Sequence, residues 1–267
     1  MPKSAATSAA TSAAQPAAQP AAPPAAPPAA PSAPTSASGT ARERVRRELT
    51  GEIKQVALAQ LASGGGAALS LRAIAREMGM SSSALFRYFR NRDALLTALI
   101  IDSYSSLAEA AEAAEARVHE RSVEERWMAI CHGVRSWALA HPNEYALIFG
   151  SPIPGYAAPP GTVGPATRVP LLLADLLADL VKEKSYDAGA NPKPPGAVRR
   201  SIEPVRSVMP AGITADLMVR GLMAWTYLFG AVSFEVFGHR YNVIADLDAF
   251  FDHEVRRMAV MVGLVPA

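Results

Sequence analysis

Three short helical patterns lie close together between residues 70 and 101, and their spacing constrains the fold more than any other feature of the chain. The first pattern follows Ser70, whose hydroxyl is suited to capping a helix N-terminus. Its apolar residues recur at the i, i+3, i+4 and i+7 spacing of one helix face: Leu71, Ile74, Ala75 and Met78. Gly79 then supplies the left-handed conformation that ends a helix, so the first helix is predicted to stop there.

The second pattern begins at Ser81 or Ser82, either of which can cap it, and places Leu85 and Phe89 four residues apart on an inward face. Asn91 ends this helix and caps the third, whose apolar stripe consists of Leu95, Leu96, Leu99 and Ile100. Two short helices joined by a tight turn through glycine form a helix-turn-helix, whose second helix enters the major groove of DNA.

The rest of the chain is also predicted to be helical, so the predicted fold class is all-α. A helix over 42–62 precedes the helix-turn-helix and completes a three-helix DNA-binding domain over 41–101. A larger helical domain is predicted over 102–267, with loops at 151–165 and 185–211. The later helices are predicted at 92–118, 122–140, 143–150, 164–184, 212–238 and 245–263.

Composition divides the chain into three parts. Residues 1–40 contain 16 Ala and 9 Pro and a single charged side chain, so they are predicted to form a disordered tail or spacer. Residues 41–92 carry ten Lys and Arg against four Glu, whereas residues 93–267 carry 15 Lys and Arg against 20 Asp and Glu. A basic module joined to a larger acidic one is typical of a nucleic-acid reader with a separate regulatory body.

The outward side chains of the second short helix are the candidates for DNA contact. Serines at a helix start can bind phosphate or base edges, and Arg87 can either pair with guanine or hold a phosphate. Phe86 has no hydroxyl, so it is limited to apolar contact with DNA. The predicted DNA-binding residues are Ser70, Arg72, Ser81, Ser82, Ser83, Phe86, Arg87, Tyr88 and Arg92.

The stretch SLRAIAREMGMSSSALFRYFRNRDALLTALI closely resembles the DNA-binding region of the tetracycline-repressor (TetR) family. The matching elements are a Ser cap, an Ile-Ala pair, a glycine turn, the segment Leu85 to Phe89 and the run Arg92 to Leu96. The chain departs from the family pattern at Phe86, where tyrosine is usual, and at Arg92, where lysine is usual.

The later segments 127–149 and 218–239 are similar to a TetR subgroup with a WHG-type regulatory domain. The resemblance implies an all-helical homodimer, an effector pocket in the regulatory half, and repression that a ligand relieves. It therefore gives the domain over 102–267 the roles of effector binding and dimerisation. A pocket among the helices at 122–150, 164–184 and 212–238 is predicted to be lined by Trp127, Cys131, His132, Trp137, Tyr145, Phe149, Trp225 and Phe229. The alternative for each of these side chains is an ordinary place in the core.

Helices 212–238 and 245–263 are the predicted dimer interface, because a pair of apolar helices from each chain forms a four-helix contact. The stripes that support this are Leu217, Leu222, Trp225, Phe229, Val232 and Val236, then Leu247, Phe250, Phe251, Val255, Met258 and Val262. Part of each stripe must instead belong to the internal core.

An enzyme is not predicted, and neither a cofactor nor a metal site is expected. None of the five histidines has a partner at firm ligand spacing, and the adjacent Cys131 and His132 diverge by about 100° on a helix. The single cysteine excludes a disulfide framework. The glycine run near residue 65 lacks the lysine of a phosphate-binding loop.

The sequence therefore predicts a cytoplasmic, ligand-responsive transcriptional regulator, with a double-stranded DNA operator and a small-molecule effector as its partners. It predicts no membrane association, because the longest charge-free run in the C-terminal half, 221–234, is shorter than a membrane span. Two alternatives stay open at this point. One is an architectural or weakly specific DNA binder without an effector, and the other is a regulator that acts mainly through a protein partner.

Overall fold

The computed structural model describes residues 40–183 and 193–264, which fold into helices and loops and confirm the all-α prediction. A short 3₁₀ turn at Pro160–Thr162 precedes the seventh helix. The α-helices in the described ranges are α1 Ala41–Ala68, α2 Leu71–Glu77, α3 Ser82–Phe86, α4 Arg92–Ala116, α5 Val123–Ala140, α6 Pro142–Phe149, α7 Val163–Lys182, α8 Gly196–Arg206, α9 Ala215–Val236 and α10 Leu247–Val262.

The short helices begin at the predicted caps. The side chains of Ser70, Ser81 and Asn91 each accept a hydrogen bond from the backbone amide three residues later, at 3.4, 3.2 and 2.8 Å. Gly79 has a φ of 64°, which is the left-handed conformation predicted for the turn between α2 and α3. These local signals place the two short helices of the helix-turn-helix as predicted.

The first helix starts with a capping box, in which Thr40 accepts a bond from the amide of Glu43 and the Glu43 carboxylate accepts one from the amide of Thr40. Its assigned range runs to Ala68, six residues beyond the predicted end. Gly65 nevertheless has φ 64° and ψ −172°, so the regular helix is interrupted in the glycine run just after the predicted end at residue 62.

Two apolar cores organise the fold, and α4 contributes to both. Leu95, Leu96 and Leu99 lie in the core of the N-terminal head, which α1, α2 and α3 complete. Further along the same helix, Leu107 and Ala111 lie in the core of the larger body formed by α4 to α10. The boundary predicted at residue 101 therefore falls inside one continuous helix.

The body also touches the head through α6 and the loop that follows it. Leu147, Ile153 and Tyr156 pack against the core of the head. The hydroxyls of Tyr156 and Thr97 lie 3.0 Å apart, which adds a hydrogen bond between this loop and α4. The head is consequently held by α4 and by α6, two separate elements of the body.

The prediction of a loop over 185–211 is wrong for Gly196–Arg206, which forms α8. Ile202 on this helix is buried, and apolar residues one turn to either side, Val198 and Val205, give α8 a short amphipathic face. Packing of that face on α9 outweighs Pro204, which opposes helix formation. Residues 184–192 and 1–39, which include nearly all of the predicted tail, lie outside the described residues.

The other helices of the body lie within three residues of their predicted bounds. Two helices, α4 and α9, are long and apolar enough to cross a membrane by length and composition alone. In the fold both supply side chains to the apolar cores.

Candidate DNA-binding surface and effector cavity

Most of the predicted DNA-contacting side chains are exposed. This holds for Ser70 and Arg72 beside α2 and for the serines, Phe86 and Arg87 of the α3 segment. Tyr88 and Arg92 are instead half-buried. Leu85 and Phe89 are buried in the head, as predicted, and this fixes which face of α3 is presented to solvent.

The recognition helix is shorter than the sequence predicts. α3 ends at Phe86, and Arg87 is its C-cap residue. The amides of Tyr88 and Phe89 still donate to the Leu85 carbonyl, at 2.9 and 3.1 Å, so the chain continues as a tight turn into Asn91. Arg87 therefore projects from the end of the helix.

Ser81 has a structural task besides any contact with DNA. Its hydroxyl oxygen caps α3 and lies 3.1 Å from the hydroxyl of Ser83. Arg92, in the first turn of α4, lies 3.5 Å from the carboxylate of Asp93. Both groups remain at the surface of the head, where a phosphate can replace or extend these weak contacts.

The start of α1 adds basic residues that were counted by charge but not predicted as part of the site. The guanidinium of Arg46 lies over the Tyr88 ring, 5.3 Å from its centroid, and donates a 3.4 Å bond to the Arg87 carbonyl. Arg42 and Arg47 are exposed on the same helix end. The i, i+4 spacing of Arg42 and Arg46 is the sequence signal that points to a shared face.

These contacts join the start of α1 to the recognition segment. The Tyr88 ring packs between Arg46 and the core of the head, which explains why Tyr88 is only half-exposed. Positive charge from α1 and from Arg87 is thereby gathered at one side of the head, which is the arrangement that binds a phosphate backbone.

The body contains an apolar cavity of about 300 Å³ bounded by α5, α7, α8, α9 and α10. Its walls are mainly aliphatic, with Leu173, Leu176 and Leu177 on α7 and Met218 and Leu222 on α9. Among the described residues that line it, Thr167 carries the one hydroxyl and none carries a charge. This composition is typical of a site for a small apolar molecule.

Two of the eight predicted pocket residues, Trp127 and Trp225, line this cavity. The indole of Trp127 donates a 2.9 Å bond to the Val255 carbonyl, so its polar group faces away from any ligand. Trp225 is 37% exposed and lies at the solvent side of the cavity.

The other six predicted pocket residues lie outside the lining of this cavity, most of them as core side chains. Phe149 and Phe229 pack together with ring centroids 4.5 Å apart. Trp137 stacks on His141 at 5.1 Å and donates to the hydroxyl of Ser106 at 2.9 Å.

The remaining three, Cys131, His132 and Tyr145, are also engaged. The Cys131 thiol is fully buried, and burial raises its pKa well above the ordinary value. His132 Nε2 lies 3.3 Å from the carboxylate of Asp252. Burial likewise raises the pKa of Tyr145 to about 12. Their role as effector contacts stays a prediction.

Buried ion pairs fix the helices around the cavity. Arg126 on α5 donates to Glu115 on α4 at 2.6 Å and to Asp179 on α7 at 3.0 Å. Burial alone would raise the pKa of Glu115, but hydrogen bonds from His119 and Arg126 outweigh it and lower that pKa. A three-helix network of this kind holds the relative positions of α4, α5 and α7.

A second network joins α5 to α9 and α10. Arg135 forms a two-pronged bond with Glu235, at 2.8 and 2.6 Å, and also contacts Asp248 at 2.7 Å. In the described part of the chain, no group of three or more His, Cys, Asp or Glu residues is placed to hold a metal ion.

The apolar surface of α9 differs from the stripe that the sequence suggested. Leu217, Phe229 and Val232 of the predicted stripe are buried in the body. The exposed apolar face is instead offset around the helix and continues onto α10; it consists of Met223, Tyr227, Phe234, Phe237 and Phe250. We call these five residues the α9 face.

Comparisons with known proteins agree with this two-part organisation. Residues 53–99 match the family profile described as "Bacterial regulatory proteins, tetR family", and residues 127–258 match "Tetracyclin repressor-like, C-terminal domain". These ranges cover most of the head and most of the body.

Relatives of similar length also match. The chain is 34% identical over 230 residues to the HTH-type transcriptional regulator Mb1846 of Mycobacterium bovis. This match covers 83% of this chain and 95% of that protein. The HTH-type transcriptional regulator Rv1816 of Mycobacterium tuberculosis matches with the same identity and coverage. Among solved structures, that of the putative regulatory protein SCO4313 is similar to this chain, with 35% sequence identity and a TM-score of 0.67. The match covers 82% of this chain and 98% of that one. The chain belongs to the TetR family of bacterial transcriptional regulators.

Proposed function

We propose that this regulator is a cytoplasmic repressor that binds a pseudo-palindromic operator as a homodimer and is released by a small-molecule effector. The observation that carries the DNA-binding part is the junction of α1 with the recognition segment through Arg46, beside the exposed side chains of α3. One such surface per protomer matches one half-site of a two-fold symmetric operator.

The α9 face supports dimerisation. Five large apolar side chains exposed on two adjacent helices form a patch of the kind that monomeric proteins seldom leave in water. A second copy related by a two-fold axis covers the patch with the same residues. In the dimer both heads are then held at a fixed separation by their bodies.

The cavity in the body supports effector control. Its walls include residues of α7 and α9, and α9 is linked by a hydrogen bond to α6, which contacts the head. A ligand that binds better to one arrangement of these helices than to another shifts the separation of the heads. No catalytic step is part of this proposal.

The test is a footprint on the DNA upstream of the regulator's own coding sequence, at two salt concentrations and with excess competitor DNA. We expect a symmetric protected patch that survives competition, because base contacts add specificity to the salt-dependent phosphate contacts. Footprinting pooled genomic fragments extends the test to operators elsewhere. Protection without any preferred sequence in both experiments would overturn the proposal and favour an architectural DNA binder.

A further inference from the structure

We propose that the effector of this regulator is an uncharged, predominantly hydrocarbon molecule that binds in the cavity between α7, α8 and α9. The inference rests on the proposed function, since it names the chemical class of the ligand that the body would sense. It follows from the walls of the cavity, its size and the element that covers it.

The walls offer nothing to balance a charge. The hydroxyl of Thr167 already donates to the backbone carbonyls of Val163 and Gly164, both at 3.0 Å. The Trp127 indole donates to the Val255 carbonyl. A carboxylate or ammonium group placed in the cavity would lose its hydration without gaining a counter-ion from the described lining residues, and this is strongly unfavourable.

Nearby charges are held in pairs that do not line the cavity. Arg126 is engaged by Glu115 and Asp179, at 2.6 and 3.0 Å. Breaking such a buried pair to receive an anionic ligand would leave a carboxylate uncompensated. The networks that position the helices therefore also keep the cavity neutral.

The size of the cavity limits the ligand. Its volume of about 300 Å³ is roughly twice that of a buried cavity of about 150 Å³ that accepts benzene. The space therefore suits a molecule with on the order of ten carbon atoms. At Gly221 a Cβ atom would lie 2.6 Å from the end of the Leu177 side chain, so α7 and α9 approach too closely there for a larger ligand without movement.

The side of the cavity nearest solvent is covered by α8. Val205 and Met209 line the cavity from this short helix and the turn after it, and Val205 is 39% exposed. α8 packs on α9. A short helix held mainly by one neighbour opens at lower cost than the helices of the central core, which gives an apolar molecule a route in.

The experiment compares three ten-carbon probes that differ in their head group: decanol, decanoate and decyltrimethylammonium. Binding to the full-length protein is followed by tryptophan fluorescence, because Trp127 and Trp225 line the cavity, and by the shift in melting temperature. We expect decanol to bind and both charged probes to bind at least about tenfold more weakly at neutral pH.

Ala174→Met tests whether the binding site is this cavity. Ala174 lines the cavity, so the longer side chain fills it and should weaken decanol binding at least about tenfold. Ala166→Met, on the same helix but outside the lining, is the matched control and should leave binding unchanged. Equal or tighter binding of decanoate, or unchanged decanol binding by Ala174→Met, would overturn the inference.

The same protein is tested in parallel on the operator fragment found by footprinting. Operator binding without decanol binding would contradict the ligand class and leave the proposed function standing. Decanol binding that Ala174→Met abolishes, in a protein that recognises no operator, would support the ligand class and contradict the proposed function. The two failures are thus distinguishable.

Discussion

The hydroxyl of Tyr145 donates a hydrogen bond to the backbone carbonyl of Phe229 at 3.0 Å and so ties α6 to α9. The same hydroxyl lies 2.9 Å from that of Ser233. Because Leu147 on α6 packs against the core of the head, this bond connects α9, which lines the cavity through other residues, to a helix that contacts the head.

Replacing Tyr145 with Phe should lower the free energy of unfolding by about 1–3 kcal/mol, because a buried polar group loses its partner while the ring is kept. Urea denaturation measures the change. Tyr241→Phe is the control, since Tyr241 is 75% exposed and should change stability by less than about 0.5 kcal/mol. Equal effects of the two substitutions would show that the Tyr145 hydroxyl adds nothing to the α6–α9 contact.

Arg87→Ala should weaken binding to the operator by about 1–3 kcal/mol. If Arg87 reads a base, the loss of affinity is confined to the operator, and specificity relaxes at one base position. If Arg87 binds a phosphate, affinity falls equally for all DNA sequences, and the slope of log affinity against log salt becomes shallower by about one. Fluorescence anisotropy at several salt concentrations separates the two. Arg117→Ala, at the far end of α4, is the control, and an equal loss there would contradict a specific role for Arg87.

Phe234→Glu should convert the proposed dimer into a monomer, because it places a charge in the centre of the α9 face, where Phe234 is 57% exposed. Analytical ultracentrifugation measures the change in mass. Val163→Glu puts the same charge at an exposed apolar position at the start of α7 and should leave the mass unchanged. A dimer that survives Phe234→Glu would move the interface elsewhere.

Arg126→Met should destabilise the fold by about 3–5 kcal/mol at neutral pH, because it leaves Glu115 buried without its partner. The folded-state pKa of Glu115 is lowered, so the stabilisation is fully present above its ordinary value of 4.5 and is lost as the pH falls through the folded-state pKa. The difference in the free energy of unfolding between the wild type and Arg126→Met should therefore become smaller on acidification.

Chemical denaturation at neutral pH and at about pH 4 measures this difference. Arg256→Met is the matched control, since it removes an exposed pair with Asp252 and should cost at most about 1 kcal/mol. If the stability difference between the wild type and Arg126→Met grows on acidification, the role assigned to Glu115 is contradicted.

Cys131, the single cysteine of the chain, should not react with thiol reagents while the protein is folded. The thiol is fully buried, so a reagent cannot reach it. Burial also raises the pKa of the thiol, so little of the reactive thiolate forms. Labelling should reach one equivalent after unfolding in urea. Leu139→Cys in a Cys131→Ala background places a thiol at an exposed site on the same helix and should label quickly, whereas rapid labelling of native Cys131 would contradict its burial.

The head could be predicted almost entirely from local signals. Ser70, Gly79 and Asn91 each act on the backbone within four residues, so a cap or a left-handed turn can be recognised without knowing the rest of the fold. The length of α3 was misjudged, because Arg87 and Tyr88 continue the helical pattern in the sequence while the backbone already turns.

The cavity could not be predicted in the same way, because it depends on where several helices fail to fill space. The residues predicted to line the pocket are mostly aromatic, yet Tyr145 and Phe149 pack on each other and Trp137 stacks on His141. The aliphatic walls, such as Leu173 and Met218, have the same spacing as ordinary core residues. No feature of a single helix distinguishes the two roles.

The same reasoning explains why part of the predicted stripe on α9 belongs to the core and why α8 was missed. On α9 nearly every face is apolar, so spacing cannot tell which side packs inward, and tertiary packing selected Leu217 and Val232 rather than Phe234. In α8 the nearby prolines argued for a loop, whereas contact with α9 stabilises a helix around Ile202.

The continuity of α4 through both cores sets a rule for recombining this regulator with its relatives. Each residue of a helix turns the chain by about 100° and advances it by about 1.5 Å. One residue inserted between Leu99 and Leu107 would therefore rotate the DNA-binding surface by about 100° relative to the body. Chimeras that join the DNA-binding head of a relative to this body must therefore preserve the number of residues in α4, whereas substitutions on its exposed side leave the orientation of the head unchanged.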